Sequence, residues 1–225
     1  MTAIKERPIL FSAPMVRAIL EGRKTVTRRP VKGGQIPVED TSLSVDDHLR
    51  WSAIGQRDPR YGFDVYGVTA DECASELAKF GRCPYGQPGD RLWVREAWAA
   101  DEQMDSIAPR YLSQGEPILY PTDGAVRQTG CSMITRGRGR LSIHMPRRAN
   151  RILLEITDVR VERLQDISAE QAKAEGVNGL PRCRSIYPDD DYLYPFKDLW
   201  LSINGPESWE SNPWLWVVEF KRVQP

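Results

Sequence analysis

The segment 151–164, RILLEITDVRVERL, alternates apolar and polar residues over most of its length, and this pattern limits the fold more than any other. Side chains of a strand point to opposite faces in turn, so the alternation predicts one long half-buried strand, bent near Asp158. A helix start follows at Ser168-Ala-Glu-Gln, where Ser168 can cap and Gln171 can complete a capping box. That helix is expected to stop at Gly176, where a glycine suits the left-handed backbone. A second helix is expected over Tyr194–Ile203, and WLWVVEFKRV supplies a strand over Trp214–Arg222.

At the front of the chain, Arg7–Ser12, RPILFS, reads as a short strand. Ser12 is a plausible N-cap and Pro14 is tolerated in the first helical turn. The helix should run to about Glu21, with Met15, Ile19 and Leu20 on its apolar stripe and Gly22 as the left-handed stop. From Pro30 to Pro88 the periodicity fails. Gly33-Gly34, Asp58-Pro59, Gly62, Gly67 and CPYGQPGD are turn chemistry, and one helix is expected around Ala70–Phe80. An ordered insertion with short elements fits better than a loop of that length. Arg91–Ala100 reads as a strand, and 101–150 as mostly loop with one strand at Pro117–Tyr120. Several strands, few helices, no repeats and no βαβ rhythm predict an α+β, barrel-like fold. The expected organisation is one domain over 1–225, with insertions at about 30–88 and 101–150.

Composition narrows the functional classes. The 31 basic and 31 acidic residues cancel, so a globally basic nucleic-acid binder is not indicated. Local basic stretches remain. Residues 136–151 carry Arg136, Arg138, Arg140, Arg147, Arg148 and Arg151 without an acid, and 23–32 carry Arg23, Lys24, Arg28, Arg29 and Lys32. Asp189, Asp190 and Asp191 form an opposing acidic run. Such stretches are either ligand-facing or simply solvated. Cys73, Cys83, Cys131 and Cys183 form no close pair, and neither His48 nor His144 stands at ligand spacing from them. No metal and no cofactor is therefore implied, and reduced thiols are expected. No apolar run reaches membrane-spanning length and no signal-peptide core is visible, so a cytoplasmic protein without membrane partner is expected.

Three motifs in order carry a resemblance. Gly22, Lys24 and Arg29 form a Gly-x-Lys-x-x-x-x-Arg signature after the first helix. Gly89-Asp90 opens a hydrophobic strand at Leu92, and Val218-Glu219-Phe220-Lys221 ends the last strand. Between them lies ISAEQAKAEGV, with its Ala-x-x-Glu-Gly helix. Together they resemble the ASCH family of the PUA-like superfamily over about half of the chain. The domain layout is also similar to phage or prophage ASCH proteins. GRKTVTRR is similar to the segment GRKTITIR of small bacterial amidohydrolases acting on N4-acetylcytidine. The resemblance implies a PUA-like β-barrel, a nucleoside or RNA ligand, and catalytic roles for Lys24, Thr27 and Glu175, with Arg29 assisting.

The chemistry accounts for those residue types. A threonine hydroxyl needs a base to become a nucleophile, and a lysine serves only when burial or cationic neighbours lower its pKa. Arg23, Arg28 and Arg29 can supply that neighbouring charge. Glu175 can protonate a leaving amine, and backbone amides at Gly22–Thr25 or the Arg29 guanidinium can hold an oxyanion. Lys24 and Thr27 stand at odd separation, so they converge only where the segment turns. Trp93, Trp98, Trp200, Trp209, Trp214 and Trp216 belong first to core and rim. On a single strand Trp93 and Trp98 would face opposite ways, so at most one can wall a nucleobase pocket, with Glu96 as a polar group beside it. Tyr61 and Tyr66 are less committed to the core. Two readings compete with hydrolysis: a non-catalytic RNA or modified-nucleic-acid reader using the 136–148 arginines, and a ribonuclease.

Overall fold

The computed structural model describes residues 4–56, 62–128, 130–179 and 190–224. Asp58, Pro59, Tyr61, Cys183 and Asp189, singled out above, lie outside them, and Asp190 is described through its backbone alone. The chain is mixed α+β. It begins with β1 (Glu6–Leu10), α1 (Ala13–Leu20), β2 (Val26–Pro30), β3 (Val38–Glu39), β4 (Trp51–Ile54) and β5 (Asp64–Gly67). It continues with α2 (Ala70–Phe80), β6 (Arg91–Arg95), β7 (Ile118–Tyr120) and β8 (Ala125–Arg127). It closes with β9 (Leu153–Arg163), α3 (Ala169–Ala174), α4 (Asp190–Asn204) and β10 (Trp214–Val223). None of the described helices is long and apolar enough to cross a membrane.

The chain divides into two compact units. The first comprises Met1–Gly22, Asp90–Glu155 and Lys221–Pro225. In it β1 runs parallel to β6, from Glu6 opposite Arg91 to Leu10 opposite Arg95. The start of β9 adds an antiparallel neighbour, with Trp93 opposite Leu153. Helix α1 buries Val16, Ala18 and Ile19, so its inner face is rotated from the expected Met15–Ile19–Leu20 stripe toward Val16. Gly22 at φ 75° closes it, as a residue without Cβ can. A core of Trp98, Leu112, Ile118, Tyr120 and Met145 gathers the 98–149 segment.

The strand expected over Arg91–Ala100 stops at Arg95. The Glu96 N–H turns to the Met145 sulfur at 3.5 Å instead of a ladder carbonyl, and Trp98, Ala99 and Asp101 form isolated bridges to Arg140, Leu119 and Arg136. Trp98 is therefore not on β6, and strand alternation does not set its face relative to Trp93. The expected strand at Pro117–Tyr120 is β7, which pairs with β8 in a hairpin that three residues of AVR are too short to announce.

The second unit comprises Arg23–Gly89 and Ile156–Phe220. Among the described residues of its insertion, β3, β4 and β5 form an antiparallel sheet, and α2 buries Cys73, Ala74 and Leu77. Thr69 caps α2 by accepting from the Glu72 N–H at 3.2 Å. Gly67 ends β5 against the start of α2, and a Cβ there would lie 2.4 Å from the Cys73 nitrogen. The strands of this unit's second sheet run in the order β9-β10-β2, with β2 antiparallel to β10, from Val26 opposite Glu219 to Pro30 opposite Leu215. The capping box at Ser168 and Gln171 is formed. Helices α3 and α4 share a core of Leu164, Ile167, Phe196, Trp200 and Leu215. Helix α4 starts four residues before the expected Tyr194, because Tyr192 and Leu193 also pack on that core.

Candidate functional site

Within the second unit, the basic segment after Arg23 is zipped to the end of α3. The Thr25 N–H donates to the Ala174 carbonyl at 2.9 Å, and Lys24 and Glu175 face each other as an antiparallel bridge. Arg23 Nη1 donates to the Gly176 carbonyl at 2.6 Å, a basic group satisfying a helix C-terminus. Glu175 is the C-cap of α3, and Gly176 at φ 85° turns the chain away behind it. Local chemistry thus fixes where the Glu175 carboxylate must be: a capped helix with a defined stop, held edge-on by a β-bridge.

Lys24 and Glu175 stand 151 positions apart in sequence, yet Lys24 Nζ donates to Glu175 Oε2 at 2.5 Å and to the Glu175 carbonyl at 3.0 Å. The lysine side chain has no exposed surface and the glutamate side chain 4%. The second carboxylate oxygen accepts from Arg28 Nη1 at 3.3 Å. Arg28 is equally sealed and reaches Glu162 Oε2 with Nη2 at 3.4 Å. Glu162 Oε1 accepts in turn from Arg160 Nε at 2.8 Å, and Arg160 Nη1 also bonds Asp158 at 2.6 Å and Glu219 at 2.7 Å. A continuous line of alternating charge therefore runs from Lys24 to Arg160 along β2 and β9. The Lys24 pKa is lowered. Loss of water around the buried ammonium is the main cause, Glu175 opposes it, and the charges of Arg29 and Arg28 add to it.

Strand parity explains which basic residue meets the carboxylate. Lys24 and Arg28 are separated by an even number and both reach Glu175. Thr27 is buried on β2 opposite Val218, at odd separation from Lys24. Arg29 is half-buried opposite Trp216 and acts on Lys24 through its charge. The second partner of Glu175 is thus Arg28, one of three arginines that the sequence offered as cationic neighbours of Lys24. Glu162 and Arg160 carried no sequence signal beyond their place on an alternating strand.

The remaining candidate residues belong to the first unit. Trp93 is buried on β6, with the Arg95 guanidinium 4.8 Å from its ring centre. Glu96 is buried in a two-pronged pair with Arg151, Nε to Oε1 at 2.8 Å and Nη2 to Oε2 at 2.9 Å. Arg151 also bonds Asp123 at 2.7 Å and lies 4.0 Å from the Tyr120 ring centre. Arg140 is buried beside Trp98 and donates to the Ile107 and Met104 carbonyls. Arg147 pairs with Glu6 at 2.8 Å, and Arg148 donates to the Pro109 carbonyl at 2.8 Å. Arg136 and Arg138 are exposed. Among the described residues no group of three or more His, Cys, Asp and Glu side chains is placed to hold a metal ion.

Comparison with protein-family models, with curated proteins and with solved structures finds no match to this chain.

Proposed function

We propose that this chain is an ASCH-type protein of the PUA-like, β-barrel superfamily that works in the cytoplasm of a bacterial or phage-infected cell and deacylates N4-acetylcytidine-type nucleosides. One observation carries the reading: the sealed Lys24–Glu175 pair, brought together from the two motifs whose order suggested the family. Lys24 Nζ donates to Glu175 Oε2 at 2.5 Å, and a lysine whose pKa is lowered by burial gives up its proton readily.

In the proposed reaction a water molecule passes a proton to the Lys24 amine as its oxygen bonds to the acyl carbon, because strand parity turns Thr27, the nucleophile that the resemblance implies, away from Lys24. The bond from that carbon to N4 then breaks, and N4 takes a proton from Glu175. The carboxylic acid and cytidine leave, the acid ionises in water, and Lys24 passes its proton to Glu175, which restores the pair. Arg28 holds the far oxygen of Glu175, leaving the near one to exchange its proton with Lys24. Arg29 supplies positive charge for the oxyanion.

The test is chromatographic detection of cytidine and acetate from N4-acetylcytidine. The native protein is expected to release both, and Lys24→Ala and Glu175→Ala to lower kcat by about 10²–10⁴-fold, the usual worth of a general acid or base. Thr27→Val, on the other face of β2, is expected to retain turnover. No cytidine from the native protein, or unchanged turnover in the Lys24 variant, overturns the hydrolytic reading.

A further inference from the structure

The 101–150 insertion of the first unit holds a surface that the proposed reaction does not use. Residues 80–172 contain no lysine, so the basic stretch at 136–148 carries its charge on arginine. Three of its five arginines are engaged within the fold. Arg140 donates to the Ile107 and Met104 carbonyls, Arg147 pairs with Glu6, and Arg148 donates to the Pro109 carbonyl. Arg136 and Arg138 are exposed, and neither side chain meets a carboxylate among the described residues.

Their backbone is nonetheless fixed as a strap. Asp101 accepts from the Ile134 N–H at 2.7 Å and the Thr135 N–H at 3.2 Å, and both Asp105 oxygens accept from the Arg138 N–H at 3.0 Å. The Gly137 N–H donates to the Ala100 carbonyl at 3.0 Å, and Arg136 and Arg140 bridge Asp101 and Trp98. These two carboxylates hold main chain, so the Arg136 and Arg138 guanidiniums stay open to solvent. Large aliphatic side chains flank them: Ile134 is 79% exposed on one side, Leu141 70% and Ile143 55% on the other. Arg140 ties the strap to the turn at 104–107, and Arg110 and Tyr111 follow it, both exposed. Over 102–111 and 134–143, three open arginines thus stand against one open acid, Glu102.

We infer that this strap and the turn beside it are a docking surface for an acidic, aliphatic segment of a partner protein. Carboxylates of such a segment meet the planar guanidiniums two-pronged, and its apolar side chains cover Ile134, Leu141 and Ile143. Arginine is enriched and lysine depleted where proteins meet, which matches a surface whose cations are arginine alone. The anchored backbone also reduces the ordering that docking requires. A nucleic acid fits this surface less well. Its affinity grows with the number of phosphates neutralised, about 6–10 in strong binders, and three open arginines fall well short. Unpaired bases stack on aromatic rings, whereas the side chains that flank Arg136 and Arg138 are aliphatic.

Fluorescence anisotropy with the full chain tests the surface. The probe is a short labelled peptide that alternates glutamate with leucine. Comparison peptides alternate glutamate with serine or lysine with leucine, and an oligouridylate of equal length stands for nucleic acid. The Glu–Leu peptide is expected to bind at least about tenfold more tightly than each of the other three. Arg136→Glu with Arg138→Glu, and separately Leu141→Ser with Ile143→Ser, are each expected to weaken it at least about tenfold. Far-UV circular dichroism should stay unchanged, because all four side chains are exposed. Absence of Glu–Leu binding, equal binding of either comparison peptide, or indifference to either double variant overturns the inference. Oligouridylate bound as tightly as the peptide, or more so, overturns it in favour of a nucleic-acid surface. Turnover of N4-acetylcytidine enters none of these outcomes, so the docking surface and the hydrolase stand or fall separately.

Discussion

A carboxylate at a helix C-terminus opposes the helix dipole, and Glu175 sits at that position fully buried. It is held there because Arg23, Lys24 and Arg28 all converge on the same turn. Removing one partner of such a pair leaves an uncompensated buried charge. Lys24→Met is therefore expected to lower stability by about 3–5 kcal/mol in urea unfolding, and Lys24→Met with Glu175→Leu to recover most of it. The lowered lysine pKa sets a sign as well. Between that value and the ordinary lysine value of about 10.4, the unfolded chain binds more protons than the folded one, so stability rises with pH through this window. Lys24→Met should flatten that rise. The resemblance made Lys24 and Glu175 legible in the sequence. Arg28 was legible only as one of three neighbouring charges, because choosing it over Arg29 needs the strand path. Glu162 was not legible at all, since its partner Arg28 is 134 positions away.

Elements were read best where local chemistry is self-contained. Thr69 caps the helix expected around Ala70–Phe80, and the box at Ser168 and Gln171 marks the start of α3. Both signals lie within four residues and need no tertiary partner. The end of β6 was misread, because its stop depends on Met145 and Arg151, about fifty residues downstream. Helix α3 has only six residues, too few to be stable alone, so its caps matter more than its length. Ser168→Ala is expected to cost about 1 kcal/mol. Gly176→Ala, at φ 85°, should cost about 1–2 kcal/mol of left-handed strain. Thermal unfolding of both variants is the measurement, and midpoints equal to that of the native protein would show that α3 depends on neither end.

At the scale of the whole molecule, zero formal charge hides strongly paired carboxylates. Asp101 accepts from the backbone N–H groups of Ile134, Gln103 and Thr135, which hold its pKa below the usual value. Hydrogen bonds from Arg151 and Arg147 do the same for Asp123 and Glu6. Groups depressed in the folded state stabilise it above their ordinary pKa values, near 4, and that contribution disappears as pH falls through the lowered ones. Circular dichroism should therefore show the first unit loosening below about pH 4, and Asp101→Asn should weaken that acid response. The parallel pairing of β1 with β6 has a different kind of consequence. Its partners, such as Glu6 and Arg91, are 85 positions apart. A ribosome adding roughly 5–20 residues per second needs roughly 4–17 s to cover that interval. For those seconds the nascent RPILF segment has no edge to join, and a chaperone that binds short apolar stretches would meet it before β6 does.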